Sequence, residues 1–285
     1  MTERFLLDHQ GLRQYNWLSD FSNWLNLQEL PRWLQKGFSG IVVLLLPPIL
    51  GVALIQQLLN ERLFGIPEAI FAGLILIYSF GPVDLDQQIS RFTEAIETGD
   101  KDTADSIANK LLHEAPPNDE PAYTQAITES ILEQANSRIF AVIFWFLLLG
   151  PVGALLYRLT NLLIELDTSH KDLDFFLKSR QLMAILDWAP ARLTAFTYAI
   201  AGSFEDALYG WRSYHEIRFD EFSNNASGIL ICTGSGALRL TTLLDEKLEN
   251  SSDYHYLAEA AMGLVWRSLV VWLVILIIFT LAGWI

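Results

Sequence analysis

The chain alternates between long apolar windows and segments rich in acidic residues. The windows are Phe38–Asn60, Leu63–Val83, Ile139–Tyr157 and Ser268–Ile285, and Glu68 is the only charged residue within them. Each is about 20 residues long, and a helix of that length, rising about 1.5 Å per residue, crosses the roughly 30 Å apolar core of a bilayer. The pattern predicts an all-α, polytopic helical integral membrane protein with amphipathic helices in its aqueous segments.

The windows divide the chain into six segments. In chain order we expect an interfacial amphipathic N-terminal region at 1–37, two transmembrane helices at 38–83, an acidic helical aqueous segment at 84–138, a transmembrane helix with a polar connection and a short membrane helix at 139–202, a second acidic aqueous segment at 203–265, and a C-terminal transmembrane helix at 266–285.

The short membrane helix precedes Gly202. Asp187 is a suitable N-cap, Pro190 fits a first helical turn and Gly202 is a natural stop. At about 15 residues this helix is shorter than a crossing requires, so it is either a re-entrant segment or a tilted short crossing.

The acidic segment 84–138 contains 12 acidic and 4 basic residues. Ile89, Phe92 and Ile96 recur at helical spacing within it, and Gly99 is a natural stop. We expect an amphipathic helix that ends at this glycine.

Composition narrows the class of protein. Hydrophobic residues make up 52% of the chain, the mean hydropathy is +0.28, and only 18% of residues are charged, all consistent with membrane spans. The formal net charge of −14 argues against a nucleic-acid partner, because phosphate binding needs a surplus of Lys and Arg. A single cysteine, Cys232, excludes an intramolecular disulfide, and the scattered histidines give no metal-binding motif.

Polar residues cluster where the third window begins. Glu129 and Glu133 are four positions apart, and Asn136 and Arg138 follow closely, so several of these side chains share a helical face. One interpretation is a polar pocket. The other is a solvated helix end, with Arg138 extending to the lipid headgroups.

Two arginines are candidates for a function near the membrane. Arg158 follows Tyr157 at the end of a window, where arginine commonly anchors a helix to the interface. Arg192 lies inside an apolar helix, where an unpaired guanidinium is costly. It is interpreted as a buried ion pair, a contact to an anionic ligand, or a side chain that extends to the headgroups.

Several motifs carry a resemblance to a known family. They are NSRIF (136–140), FW (144–145), LGPVGALLYR (149–158), LDWAPARL (186–193) and GSFEDALYGW (202–211). Over about residues 38–285 the chain resembles AmpE, an inner-membrane protein family associated with the regulation of inducible β-lactamase. AmpE is in turn similar to the CobD/CbiB family, membrane enzymes that form an amide in cobalamin synthesis.

The features shared with CobD/CbiB also show departures. Shared are Glu129-Ser130, Glu133, Phe144-Trp145, Tyr157-Arg158, Asn161, the PARL sequence at 190–193, and the region from Asn224-Asn225-Ala226 to Gly236-Ala237-Leu238. Gln134 and Ser137 stand where the enzymes have Asn and Asp, and Trp188 follows Asp187 where the enzymes have a second Asp. The lost carboxylates are expected Mg²⁺ ligands.

The resemblance therefore implies, as the leading hypothesis, a non-catalytic regulatory protein of the bacterial inner membrane, multi-pass, with a role in β-lactamase induction and no cofactor. The alternative is an amide synthase of the CobD/CbiB (cobinamide phosphate synthase) type that depends on Mg-ATP. Expected partners are the lipid bilayer, a cytoplasmic signalling protein and, as a hypothesis, a second copy of the chain. The candidate ligand pocket comprises Glu129, Glu133, Asn136, Arg138, Tyr157, Arg158, Asp187, Arg192, Asn224 and Asn225.

Overall fold

The computed structural model describes residues 17–18, 20–21, 37–59, 66–80, 84–112, 115–117, 119–166, 173–217, 225–240, 242 and 255–281. These residues are almost entirely helical and include no strand, which confirms the all-α prediction. Most of the predicted interfacial region 1–37 lies outside them.

The described helices are numbered in chain order. They are α1 (Gly37–Leu59), α2 (Ile66–Ser79), α3 (Leu85–Thr98), α4 (Lys101–Leu112), α5 (Glu120–Ala135), a π-helix (Asn136–Phe140), α6 (Ala141–Leu166), α7 (Leu173–Ala201), α8 (Phe204–Ile217), α9 (Asn225–Leu238) and α10 (His255–Leu281).

Three helical stretches of the described chain are long and apolar enough to cross a membrane. They are Gly37–Leu59, Pro121–Ile164 and Tyr256–Ile278. On α1, large apolar side chains four residues apart stay exposed: Phe38, Val42, Leu46, Leu50, Leu54 and Leu58. Because an apolar stripe of this length is unfavourable in water and favourable against acyl chains, the chain is a membrane protein.

Three boundaries differ from the sequence-based expectation. In the described part of the second window, α2 is a 14-residue helix, shorter than the three spans. Helix α7 begins at Leu173, so Asp187 and Pro190 lie in its interior and the predictions of an N-cap and a first-turn proline are wrong. Helix α10 begins at His255, so residues 255–265 are continuous with the helix of the C-terminal span.

The described chain forms two compact units. Unit 1 comprises Met1–Pro82 and Ala141–Asp187, and unit 2 comprises Val83–Phe140 and Trp188–Ile285.

In unit 1, α6 packs against α1 and α2. Its main core is apolar throughout and contains Leu18, Ile41, Leu44, Leu45, Val52, Leu155, Leu159, Leu162 and Leu163. Gly150 has φ 66° and ψ −155°, a conformation that glycine adopts without strain, and Pro151 follows it. Gly150 therefore breaks the helical dihedral angles within α6.

In unit 2, the amphipathic helix of the acidic segment is confirmed as α3. Asp84 caps its first turn by accepting a hydrogen bond from the Asp86 N–H, and Gly99 ends it in the left-handed conformation. Ile89 and Phe92 are buried, whereas Ile96 is 38% exposed. Helix α3 packs against α4, α5 and α10, and α5 packs in addition against α9.

Helices α8 and α9 approach closely because glycines line their contact. A Cβ at Gly210 would overlap with the Cys232 carbonyl, and one at Gly236 would overlap with the Asp206 carbonyl. The glycines of α8 and α9 therefore allow close helix packing within unit 2.

Candidate functional site

The two glutamates of α5 lie on the side of that helix that packs against α9. The Ser227 hydroxyl of α9 donates a hydrogen bond of 2.5 Å to the Glu133 carboxylate. Glu129 accepts a 2.7 Å hydrogen bond from the Gln125 side chain and interacts electrostatically with Cys232 of α9. Both carboxylates are partly buried, and among the described residues neither forms an ion pair.

Small residues bring α9 close to its neighbours at this point. A Cβ at Gly228 would overlap with the Tyr214 ring of α8, and one at Gly234 would lie 2.7 Å from the Leu132 Cδ1 of α5. The close approach places the first turn of α9, with Ser227, beside Glu133.

Asn136 marks the change from α-helix to π-helix. It is 2% exposed, and its side-chain oxygen accepts a 3.1 Å hydrogen bond from the Thr194 hydroxyl of α7. One turn further along α7, the Tyr198 hydroxyl donates to the Leu132 carbonyl at 2.9 Å, just before the π-helix. A π-bulge is frequent at functional sites, and here two side chains of α7 form hydrogen bonds with residues near its start.

Arg192 is held largely by its own helix. Its guanidinium donates a 2.8 Å hydrogen bond to the Trp188 carbonyl and stacks 4.3 Å from the centre of the Trp188 ring. It also interacts electrostatically with Tyr214. This cation–π contact lowers the cost of a guanidinium in an apolar helix, and it was not among the interpretations drawn from the sequence.

Arg138 does not join the glutamates. Its guanidinium donates a 3.1 Å hydrogen bond to the Gln88 side chain of α3, which is 8% exposed. This contact directs the Arg138 side chain to α3, whereas the Glu133 carboxylate bonds to α9.

Three predicted site residues belong to unit 1. The fully buried Tyr157 donates a 2.7 Å hydrogen bond to Asp187, and the Trp145 indole donates to the Leu186 carbonyl at 3.1 Å. Arg158 is only 5% exposed, so its side chain packs within the protein. The aromatic residues of the FW and YR motifs thus bind the segment that leads into PARL.

Asn224 lies outside the described residues, and Asn225 is described only as the first residue of α9. Sequence reasoning did not select Ser227, Thr194 and Tyr198. The available signal was that Ser227 lies inside the motif already singled out, and that Thr194 and Tyr198 are one helical turn apart in PARLTAFTY.

In the described part of the chain, no three His, Cys, Asp or Glu side chains come together as a metal site. The pair Glu129 and Glu133 is the acidic grouping that the geometry places next to α9.

The sequence profile of the CobD/Cbib protein family matches residues 12–247. The chain belongs to the CobD/CbiB family. No solved structure matches it.

The chain is similar to the cobalamin biosynthesis protein CobD of Chromobacterium violaceum, with 31% identity over 206 residues, 71% of this chain and 63% of that protein. It is also similar to CobD of Stutzerimonas stutzeri, with 30% identity over 179 residues, 58% of this chain and 57% of that protein. A probable CobD of Thermococcus kodakarensis is 34% identical over 136 residues, 46% of this chain and 44% of that protein. The chain thus spans about three-fifths of the length of the first two relatives.

These relatives correct the leading functional hypothesis. They are named for cobalamin biosynthesis, so they favour the alternative over a non-catalytic regulator of β-lactamase induction. The broader resemblance to CobD/CbiB is confirmed, whereas the narrower one to AmpE has no support from them.

Proposed function

We propose that the chain is a membrane enzyme of cobalamin biosynthesis, an amide synthase of the CobD/CbiB (cobinamide phosphate synthase) type. The reaction would join a carboxyl group of a corrinoid acid to an amine, driven by ATP in the presence of Mg²⁺. Family membership and the names of the relatives support this proposal. We further propose that the protein is multi-pass in the bacterial inner membrane.

The observation that carries the proposal is the pair of carboxylates beside α9. Glu129 and Glu133 face α9, bond to neutral side chains and have no cation paired with them among the described residues. In nucleotide sites Mg²⁺ is commonly held by one or two carboxylates together with phosphate oxygens, so these residues fit a Mg²⁺–nucleotide. When bound, the ion would neutralise phosphate charge during transfer.

The chain's own residues would position the reactants. The Ser227 hydroxyl orients the Glu133 carboxylate, and the backbone N–H groups of the first turn of α9 give this helix end a partial positive charge suited to an oxyanion. Glu129, Glu133 and Ser227 are thus the residues to which we assign the binding of the Mg²⁺–nucleotide.

The departures at Gln134 and Ser137 do not weaken this assignment; at the third departure, the Trp188 ring stacks on Arg192 where the enzymes have a carboxylate. Gln134 donates to the Leu111 carbonyl of α4 at 2.6 Å and to Ser130, and Ser137 donates to the Gln134 carbonyl. These side chains bond to α4 and to their own helix and not to α9. Their substitution therefore changes a packing contact of α5, while the two glutamates keep their place.

A ligand-stabilisation experiment tests the proposal. The detergent-purified chain is heated with and without Mg-ATP and cobyric acid, as wild type, as Glu133→Gln and as the matched control Glu94→Gln on the exposed face of α3. Glutamine keeps the oxygen that accepts from Ser227 but removes the charge. A ligand at about 100 times its Kd stabilises by roughly 2.7 kcal/mol, so we expect a clear rise in Tm for wild type and control.

For Glu133→Gln we expect no rise in Tm with the ligands. No rise in any of the three proteins, or an equal rise in all three, would contradict the assignment of the nucleotide to this face of α5.

A further inference from the structure

A cleft lies in unit 2 between α3, α4 and the π-helix, away from the contact between Ser227 and Glu133. Its volume is about 560 Å³, within the range of small-molecule sites. It is lined by Gln87, Gln88, Arg91, Asp102, Thr103, Ser106, Ile107, Lys110 and Arg138.

The charge of the lining is opposite to that of the segment that builds it. Residues 84–138 contain 12 acidic and 4 basic residues. Three of the four basic residues, Arg91, Lys110 and Arg138, line the cleft, but Asp102 is the single acidic residue that does so. In an acidic segment, this concentration of cations in one concave surface produces a local positive potential.

The lining combines a partly buried arginine at the base with two exposed cations at the rim. At the base, Arg138 is held by its hydrogen bond to the buried Gln88 side chain. At the rim, Arg91 and Lys110 are exposed, and neither forms a salt bridge with a described carboxylate. Their charges are therefore not used to hold the described fold together.

Hydroxyl groups complete the lining. Thr103 is engaged with Asp100, to whose carboxylate its hydroxyl donates at 2.6 Å, whereas Ser106 makes no hydrogen bond with a described residue. Proteins commonly bind phosphate oxygens with guanidinium groups, ammonium groups and serine hydroxyls. A guanidinium group can donate to two phosphate oxygens at once.

We propose that this cleft binds the phosphate group of an anionic ligand, with Arg138 fixed at the base and Arg91 and Lys110 closing on it from the rim. The phosphate belongs either to a soluble phosphate ester or to the headgroup of an anionic lipid, and both present the same oxygens. The site is separate from the proposed Mg²⁺–nucleotide site and requires neither Mg²⁺ nor activity.

The first arm of the test uses inorganic pyrophosphate. Its binding to the detergent-purified chain is measured by calorimetry at low salt without Mg²⁺, so failure of the proposed nucleotide site cannot affect the result. We expect saturable binding to the wild type and at least a tenfold higher Kd for the Arg91→Gln/Lys110→Gln double variant. The control is Lys101→Gln, which removes the fourth basic residue of the same segment, outside the cleft; its Kd stays within twofold.

The second arm tests the lipid source. The same three proteins are equilibrated in bilayer discs of phosphatidylcholine with and without phosphatidylglycerol, and retained phosphatidylglycerol is counted by native mass spectrometry. Retention by wild type and Lys101→Gln but not by the double variant supports a lipid headgroup, and pyrophosphate binding alone supports a soluble ester.

Absence of saturable binding in both arms, or equal losses for Lys101→Gln and the double variant, would overturn the proposal. Because Arg91 and Lys110 are exposed, the variants are expected to fold, and an unchanged circular dichroism melting curve without ligand checks this.

Discussion

The Ser227 hydroxyl of α9 donates a hydrogen bond to the Glu133 carboxylate of α5, 94 positions away in the sequence. This contact joins the segment with Glu129 and Glu133 to the region 224–238, which is rich in glycine and serine. Because the acceptor is a partly buried carboxylate, this bond contributes more to the free energy of unfolding than a hydrogen bond on the surface.

Replacing Ser227 with alanine removes that donor and leaves the Glu133 carboxylate with one fewer partner. We expect Ser227→Ala to lower the free energy of unfolding by about 1 kcal/mol. Thermal unfolding in detergent measures the change, with Ser90→Ala on the exposed face of α3 as the control. Equal stability of the two variants would show that the bond contributes nothing to the fold.

The contact between α8 and α9 predicts a strong effect at Gly210. A methyl group there would overlap with the Cys232 carbonyl, so Gly210→Ala has to separate the two helices and should cost about 1–3 kcal/mol. Gly263 of α10 has no neighbouring atom within 4 Å of such a methyl group. Gly263→Ala should therefore keep the stability or raise it by up to about 1 kcal/mol, through helix propensity. Equal costs at both positions would contradict the close packing.

Asp206 predicts a dependence of stability on pH. Hydrogen bonds from Ser203 first, and then from Arg239 at 2.6 Å, lower the pKa of this carboxyl below its usual value. Its contribution is therefore complete above the unfolded-state pKa of about 3.9 and is lost as pH falls through the lower folded-state pKa.

We expect Asp206→Asn to lose less stability than wild type between pH 5 and pH 3 in a denaturant titration at each pH. Both partners of the ion pair are exposed, so the difference should shrink at high salt. An equal loss of unfolding free energy in both proteins would show that Asp206 does not contribute to the pH dependence.

The Asn136–Thr194 pair predicts a coupling between the π-helix and α7. Thr194→Val keeps the shape of the side chain but removes the hydroxyl that donates to the buried Asn136 oxygen, which should cost about 1–3 kcal/mol. Thr242→Val, at an exposed position, is the control for the chemical change. Similar losses of unfolding free energy in both variants would remove the claim that the buried pair supports the π-helix.

The membrane helices were predictable because their signal is local. An uncharged window such as Phe38–Asn60 specifies a span by its composition alone, and α1 follows it to within one residue at each end. The length of α7 was not predictable in the same way, since Pro190 is as compatible with a first turn as with the interior that the structure shows.

The candidate site was only partly predictable because its contacts join distant positions. Helical periodicity predicts that Glu129 and Glu133 share a face of α5. It does not predict that Ser227 forms a hydrogen bond with Glu133. The contact of Arg138 with Gln88 was not predictable either, because it joins positions that are 50 residues apart. The functional error rested on two missing carboxylates, at Ser137 and Trp188, which were interpreted as lost Mg²⁺ ligands. The Ser137 hydroxyl bonds to the backbone of α5, and Glu129 and Glu133 are retained.

The most direct test of the central claim is amide formation by the purified chain. Wild type, Glu133→Gln and Glu94→Gln are incubated with adenosylcobyric acid, an aminopropanol substrate and Mg-ATP, and the amide is quantified by mass spectrometry. The account predicts ATP-dependent product with wild type and Glu94→Gln, and at least a hundredfold lower rate with Glu133→Gln. Equal rates for Glu133→Gln and Glu94→Gln, or no product from a folded wild type with any of these reactants, would contradict it.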